Sequence, residues 1–439
     1  MHIKRVIIKD FRCFEHLEIN LDPDINIFVG NNGAGKSALL DAIAAAMFPY
    51  VAQIQEIVDK KYPEDSFVLQ RDLPAKQKGS KRKIKSEFTV SATDFPDWTI
   101  VYKKPPVDDD NKRIKLNPFE FQLLEGTKQL YSVIRSKLQK YPKSELSIIA
   151  YYKGDRYLTN IGDIENISNQ SFDRFDALNN AFNPTANFTD LVNWFFVREF
   201  QELREGKNQK DINFEFPDLK QVRNAISTII APNARVYFSQ VTSAKLMVEW
   251  ETETGETREL LLSQLSAGYR NMLALVMDFA RRLAQANPDM ENPLAAEAIL
   301  MIDELDLHLH PTWQQKIIPD LKKVFPNTQI IATTHSPEAV TTVKREQVWL
   351  LENYQVKECP SPTKGMKSSD IVRYVLGLNE LRPDTEESRT LTRLFEAIDN
   401  GQLEEAKRLR EDLRDWESFD SDMTRADMQI RRMERRGVV

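Results

Sequence analysis

Eight residues, Gly30-Asn31-Asn32-Gly33-Ala34-Gly35-Lys36-Ser37, constrain this chain more than any other stretch. They fit the spacing G-x-x-x-x-G-K-[ST] and fall between a strand-like segment, 25–29 with Ile25, Ile27, Phe28 and Val29, and a strong helix former, Ala38 to Met47. Strand, glycine-rich turn and helix in that order make a phosphate cradle. The glycines let the backbone wrap an anion without Cβ clashes. The N–H groups of the turn and of the helix N-terminus favour negative charge there. In such a cradle Lys36 reaches the β- and γ-phosphates of a nucleotide and Ser37 gives its hydroxyl to Mg²⁺. ATP and Mg²⁺ are the expected ligands, with Gly30, Asn31, Asn32, Gly33, Ala34, Gly35, Lys36 and Ser37 lining the site.

A second signal stands far downstream. Ala298 to Ile302 is five apolar residues in a row, the mark of a strand buried on both faces of a parallel sheet, and it ends in Asp303-Glu304. Beside a phosphate cradle, Asp303 is expected to hold Mg²⁺ through its shell. Glu304 is expected to polarise the attacking water as general base.

The rest of the pattern agrees with an α/β sheet, because strands alternate with helices. Residues 3–9, Ser147 to Tyr152 and Gln329 to Thr333 read as strands; 118–140, Tyr269 to Ala286 and Gln314 to Val324 read as helices. Residues 83–104 read as paired strands around a turn containing Asp97. Residues 165–230 read as mostly helical, with Trp194, Phe195, Phe196 and Phe200 better suited to a lobe core than to a stacking platform. Lys245 to Trp250 and Arg258 to Leu262 flank Glu253-Thr254-Gly255-Glu256, a hairpin signal. From Asp384 the chain is charged and helical. Asn400-Gly401 separates 386–399 from 402–415, which predicts a helical hairpin, and the Arg- and Asp-rich end is expected to be partly mobile.

A net charge of −6 excludes a basic coat for nucleic acid, so any contact with DNA needs a local patch. Lys76 to Lys85 carries six basic residues; a solvated loop is the other reading of that run. Two cysteines, Cys13 and Cys359, build no disulfide framework and point to a reducing cytoplasm. No stretch approaches the roughly 20 apolar residues of a membrane span, and no signal-peptide core is seen at the start. A cytoplasmic protein without membrane association is expected.

Leu265-Ser266-Ala267-Gly268-Tyr269-Arg270 opens a helix about 35 residues ahead of Asp303. It resembles the ABC signature, with Ala267 where Gly is more usual; Ser266, Ala267 and the Gly268 backbone would form a second phosphate-binding helix start. Glu304-Leu305-Asp306-Leu307-His308-Leu309-His310-Pro311 resembles the acidic strand and D-loop of OLD-like ATPases, which places Asp306 at a dimer seam. Thr333-Thr334-His335-Ser336-Pro337 resembles the switch-histidine segment, whose imidazole (His335 here) would bond the γ-phosphate. His308 and His310 read as structural, since no cysteine or third ligand is near for a metal. Phe11-Arg12-Cys13-Phe14 resembles the start of SMC and RecF-type heads and would set Arg12 near the nucleotide. One family feature is missing: the Q-loop glutamine, where this chain has Tyr151-Tyr152-Lys153-Gly154-Asp155-Arg156.

The resemblance implies an α/β fold, an ABC-type P-loop ATPase head with a modest helical lobe and a C-terminal helical extension. The head would span 1–357 with the lobe at about 160–232, and the tail 383–439. It implies an ATP phosphohydrolase with no nuclease centre in this chain. ATP would lie between head-to-tail protomers, Lys36 of one and Ser266 of the other, in a homo-oligomer built from such dimers. The plan is most similar to the PtuA-like ATPase subunit of Septu antiphage defence systems. That similarity implies a separately encoded HNH-type nuclease as partner, with the tail either its docking element or a solvated cap. A RecF/SMC-like DNA-repair clamp without a nuclease is the alternative. The Phe11–Phe14 start, the lobe and the Glu304–Pro311 motif speak against a transporter subunit.

Overall fold

The structure is a computed structural model that describes residues 1–57, 85–103, 121–123, 125–154, 172–182, 184–231, 233–239, 245–251, 255–378, 381–417 and 419–436. The basic run from Lys76 lies outside the described residues except for Lys85, as do Asp155 and Arg156. The chain divides into two units, Met1–Ile371 and Val372–Val439.

The first unit is built on a six-stranded sheet. Its strands are β3 (Ile25–Val29), β7 (Ile148–Tyr152), β11 (Ala298–Ile302), β12 (Thr328–Thr333), β13 (Val348–Glu352) and β14 (Gln355–Glu358), in the order β14-β13-β3-β12-β11-β7. All neighbours are parallel except the hairpin β13–β14. Every residue of β3, β7, β11 and β12 is buried, which explains the unbroken apolar run of β11; the polar residues inside the other strands, such as Asn26 and Gln329, are buried with hydrogen-bond partners. An antiparallel sheet, order β2-β1-β4-β5-β6, is made from β1 (Ile3–Phe11), β2 (Phe14–Asn20), β4 (Lys85–Ala92), β5 (Trp98–Lys103) and β6 (Phe121–Leu123).

Helix α1 (Lys36–Ile57) packs against both sheets and against α2 (Glu125–Lys140). That position demands apolar residues nearly all round the helix. As a result α1 is, by length and composition, apolar enough to cross a membrane, which corrects the expectation that no stretch comes near. It is a core helix: 72% of its apolar window is buried inside the protein. Pro49 sits inside it and removes the N–H that would bond Ala45. The freed Ala45 carbonyl accepts instead from the Tyr102 hydroxyl at 3.2 Å, and Ala46 accepts from Trp98 Nε1 at 2.9 Å, so β5 repairs the helix.

A three-stranded sheet, β10-β9-β8, joins β8 (Arg235–Phe238), β9 (Leu246–Glu251) and β10 (Thr257–Leu261). The helices α3 (Pro184–Gln209) and α4 (Pro217–Ile229) precede it. Phe195 and Phe196 pack on Phe238, and Trp194 is buried; Phe200 is exposed. Helix α5 (Ala267–Ala286) is buried along most of its length.

Two sequence expectations differ from the structure here. Residues 121–123 pair as strand β6 on β5, so the predicted helix starts only at Glu125. The predicted helix Gln314 to Val324 is two pieces, α6 (Pro311–Gln314) and α7 (Ile317–Val324), and the short α8 (Pro337–Val340) follows β12.

The second unit opens with the end of α9 (Ser368–Tyr374) and holds α10 (Glu386–Asp399), α11 (Leu403–Asp412) and α12 (Ser421–Arg436). The expected hairpin is α10 and α11, turned at Gly401 with φ +74°. The Arg-rich end expected to be mobile is helical through Arg436: Met423, Ala426 and Ile430 of α12 complete a core with Leu391, Leu394 and Leu409. Arg410 holds Asp427 at 2.8 Å across α11 and α12.

Candidate nucleotide site

Lys36, Asp303, Glu304 and Asp306 come together beyond the C-terminal ends of β3 and β11, where open α/β sheets bind ligands. Gly30 to Gly35 link β3 to α1. Gly33 and Gly35 take φ +80° and +100°, which glycine alone adopts readily. Gly30 is needed for another reason: a Cβ there would stand 2.4 Å from the Leu351 carbonyl oxygen. Lys36 is buried, and its Nζ donates to the Gly30 and Asn31 carbonyls at 2.8 and 3.1 Å. Burial pushes its ammonium below the ordinary lysine value, opposed by the negative field of Asp303, Glu304 and Asp306. Ser37 is exposed on the first turn of α1.

Asp303 leaves the end of β11 buried. Thr333 Oγ1, from β12, donates to Asp303 Oδ1 at 2.6 Å and accepts from the Glu304 N–H at 2.8 Å. One hydroxyl therefore orients both acidic residues. Glu304 itself has φ +50°, an uncommon conformation for a side-chain-bearing residue. Ser37 and Asp303 offer the hard oxygen donors that suit Mg²⁺.

Asp306 follows in the same loop, and its Oδ1 accepts from Thr334 Oγ1 at 2.5 Å and from the His335 N–H at 3.2 Å. The motifs around Asp306 and His335 are thus one structure, with His335 exposed. His310 caps α6 through Nδ1, 3.4 Å from the Thr312 N–H. Ser266 caps α5, its Oγ accepting from the Tyr269 N–H at 3.4 Å. A Cβ on Gly268 would lie 2.2 Å from the His308 carbonyl oxygen, so the start of α5 is pressed onto the loop after β11 within one chain.

Arg12 turns the β1–β2 hairpin with φ +47° and donates to Asp41 Oδ2 at 2.7 Å. The same hairpin leans on the phosphate loop: a Cβ on Gly35 would be 3.0 Å from Cys13 Sγ and 3.1 Å from Phe14 Cζ. Sequence reasoning missed Asp41, although it stands four residues after Ser37 and so on the same helix face. It also passed over Thr333 as an orienting group and the part played by Lys153 and Gly154. Lys153 Nζ is 3.0 Å from Asp41 Oδ1, and a Cβ on Gly154 would be 3.0 Å from Glu304 Oε2.

Behind the site lies a buried charge cluster. Asp278 of α5 accepts from Arg281 Nη2 at 2.7 Å, Arg282 Nε at 2.8 Å and the Tyr152 hydroxyl at 2.7 Å. Tyr152 closes β7, and its carbonyl accepts the Asp303 N–H at 2.8 Å. The cluster thus connects the helix that begins at Ser266 to the strand end that carries Asp303.

Comparison with known proteins adds three findings. Residues 1–340 match the AAA ATPase domain family model. A retron Vc95 probable ATPase from Vibrio cholerae is 25% identical over 94% of this chain and 86% of its own length, and a retron Ec83 probable ATPase from Escherichia coli is 26% identical over 89% and 79%. The Septu protein PtuA of Bacillus mycoides is 26% identical over 94% of this chain, which spans about half (51%) of that protein. Among solved structures, an SMC head bound to the C-winged helix domain of ScpA overlays with a TM-score of 0.41 at 15% identity, over 82% of this chain and 97% of that one.

Proposed function

Since the chain belongs to the AAA ATPase domain family and is an ATPase of the ABC type similar to PtuA, we propose that it is the ATP-binding and hydrolysing subunit of a bacterial antiphage defence complex. In this reading, nucleotide-dependent pairing of two heads regulates a separately encoded, HNH-type nuclease. The supporting observation is coverage. The retron Vc95 ATPase and PtuA each align over 94% of the chain, which cannot be covered without reaching well past residue 340 into the C-terminal helices. The likeness therefore extends beyond the catalytic domain, while this chain spans about half of PtuA.

In this reading each residue has the following part. The loop amides of Gly30 to Lys36 bind the phosphates, and Lys36 turns from its loop carbonyls to the β- and γ-oxygens. Ser37 and Asp303 would hold Mg²⁺, with Thr333 keeping Asp303 in position, and the ion would supply positive charge to the phosphates of the transition state. Glu304 accepts a proton from water as the water oxygen bonds the γ-phosphorus and the bridging oxygen leaves with ADP. His335 bonds the γ-phosphate. Ser266, Ala267 and Gly268 of the second protomer cap the same ATP, and Asp306 lies at the seam. Arg12 approaches the nucleotide from the β1–β2 hairpin. DNA is a further ligand of the complex, and the C-terminal helices are the nuclease docking element.

The test is purification of the tagged chain from its native host, with and without ATP. The expected result is a stoichiometric nuclease. Self-association alone would overturn the nuclease part and favour a stand-alone DNA clamp.

A further inference from the structure

Asp41 sits one turn beyond Ser37 on α1, and helical side chains lean toward the N-terminus, so its carboxylate covers the turn that carries Ser37. Its two oxygens face two different cations: Oδ2 accepts a hydrogen bond from Arg12 at 2.7 Å, while Oδ1 lies 3.0 Å from the Lys153 ammonium as an ion pair without hydrogen-bond geometry, the looser of the two contacts. Lys153 follows directly on β7, beside β11, and its ammonium also lies 5.5 Å from the Tyr151 ring. The next residue, Gly154, is pressed against the Glu304 carboxylate. Lys153 is therefore set between the first turns of α1 and the acid at the end of β11. A γ-phosphate bound by Lys36 and attacked by water on Glu304 must occupy that same gap.

We propose that Lys153 is a γ-phosphate-contacting residue that Asp41 holds in reserve, and that binding of a nucleoside triphosphate draws its ammonium from the Asp41 carboxylate onto the γ-phosphate. This inference rests on the site assigned above, and it answers how a chain without the Q-loop glutamine senses the third phosphate. A lysine serves where a neutral amide would not. Its charge tells a triphosphate from a diphosphate, and its long stem spans two positions. The exchange of one anionic partner for another keeps the ammonium paired in both states, so desolvation is never left uncompensated. Asp41 sets the threshold, since a stronger hold on Lys153 makes the triphosphate state harder to reach.

The experiment is equilibrium binding of ATPγS and of ADP, each with Mg²⁺, to the full chain and its variants. Melting of the nucleotide-free proteins is measured in parallel. Lys36→Ala tests the site itself and should lose both ligands; retained binding there would remove the site assignment and with it the basis of the inference. With the site intact, Lys153→Ala should weaken ATPγS roughly tenfold, the loss of one charge-assisted hydrogen bond, and leave ADP nearly unchanged. Lys153→Arg should restore most of the difference. Asp41→Asn should shift the ratio the other way, tightening ATPγS relative to ADP, and most of that gain should vanish in the Lys153→Ala background. An unchanged ATPγS-to-ADP ratio in Lys153→Ala, or an equal loss for both ligands with a lowered melting temperature, would show a structural ion pair and overturn the proposal.

Discussion

The cluster around Asp278 offers the sharpest test of the packing. Asp278 is the carboxylate that both Arg281 and Arg282 share, and the three side chains are 0%, 2% and 0% exposed. Asp278→Asn keeps the shape and removes the charge, leaving two guanidinium groups buried against neutral acceptors. Breaking a buried pair from one side costs about 3–5 kcal/mol. Unfolding the first unit, Met1–Ile371, carries an entropy of about 0.8 kcal/mol/K at ~2.1 cal/mol/K per residue, so the melting temperature should fall by roughly 4–6 °C. Tyr152→Phe removes one hydrogen bond and keeps the charge pairing, so its loss should be clearly smaller.

The pH dependence gives a second reading of the same group. Burial alone would push the Asp278 carboxyl up, but Arg282 and Arg281 outweigh it and hold the carboxyl below its ordinary value. A depressed folded value means the stabilisation is full above the unfolded value of about 3.9 and is lost as pH falls through the folded one. Wild type should therefore lose stability through this group below about pH 4, and Asp278→Asn should lack that contribution. Differential scanning fluorimetry across pH measures both. A drop of less than about 1 °C at pH 7, or Tyr152→Phe costing more than Asp278→Asn, would refute the account of a charge-paired core.

Glu304→Gln should bind ATP and lower turnover about 100-fold or more, the contribution of a general base. It should elute as a paired species on size exclusion with ATP; wild-type phosphate release would strike Glu304 from that role. Gly268→Ala sets a methyl into the His308 carbonyl, so the Asp306–His310 loop must move; lowered ATPase activity with a reduced melting temperature is expected, and an unaltered enzyme would deny the contact. Leu394→Ala in the C-terminal helices empties a fully buried position, at a cost of about 2–5 kcal/mol. Limited proteolysis should then cut after residue 372 while the first unit stays whole, and resistance equal to wild type would contradict the three-helix core.

Much of this protein is legible in the chain itself, for local reasons. A phosphate loop is eight consecutive residues whose glycines and lysine act through their own backbone and reach, so Gly30 to Ser37 can be read without neighbours. The strand before Asp303 announces itself because a doubly covered parallel strand has no polar face. Ser266, Asp306 and His335 are picked out by resemblance to family motifs in their order along the chain, since each segment alone is a weak signal.

What only the tertiary structure decided are pairings between residues distant in sequence. That Thr333 orients Asp303, that Asp306 holds Thr334 and the His335 backbone, and that Asp41 grips both Arg12 and Lys153 depend on which strand ends lie side by side. The strand order β3-β12-β11-β7 sets that, and hydrophobic pattern does not encode order. The same holds for α1, whose near-complete apolar surface is explained only once two sheets close over it, and for α12. Its last charged turns look mobile until Met423, Ala426 and Ile430 find the core built by α10 and α11. Local chemistry specifies which groups can react; the sheet decides which of them meet.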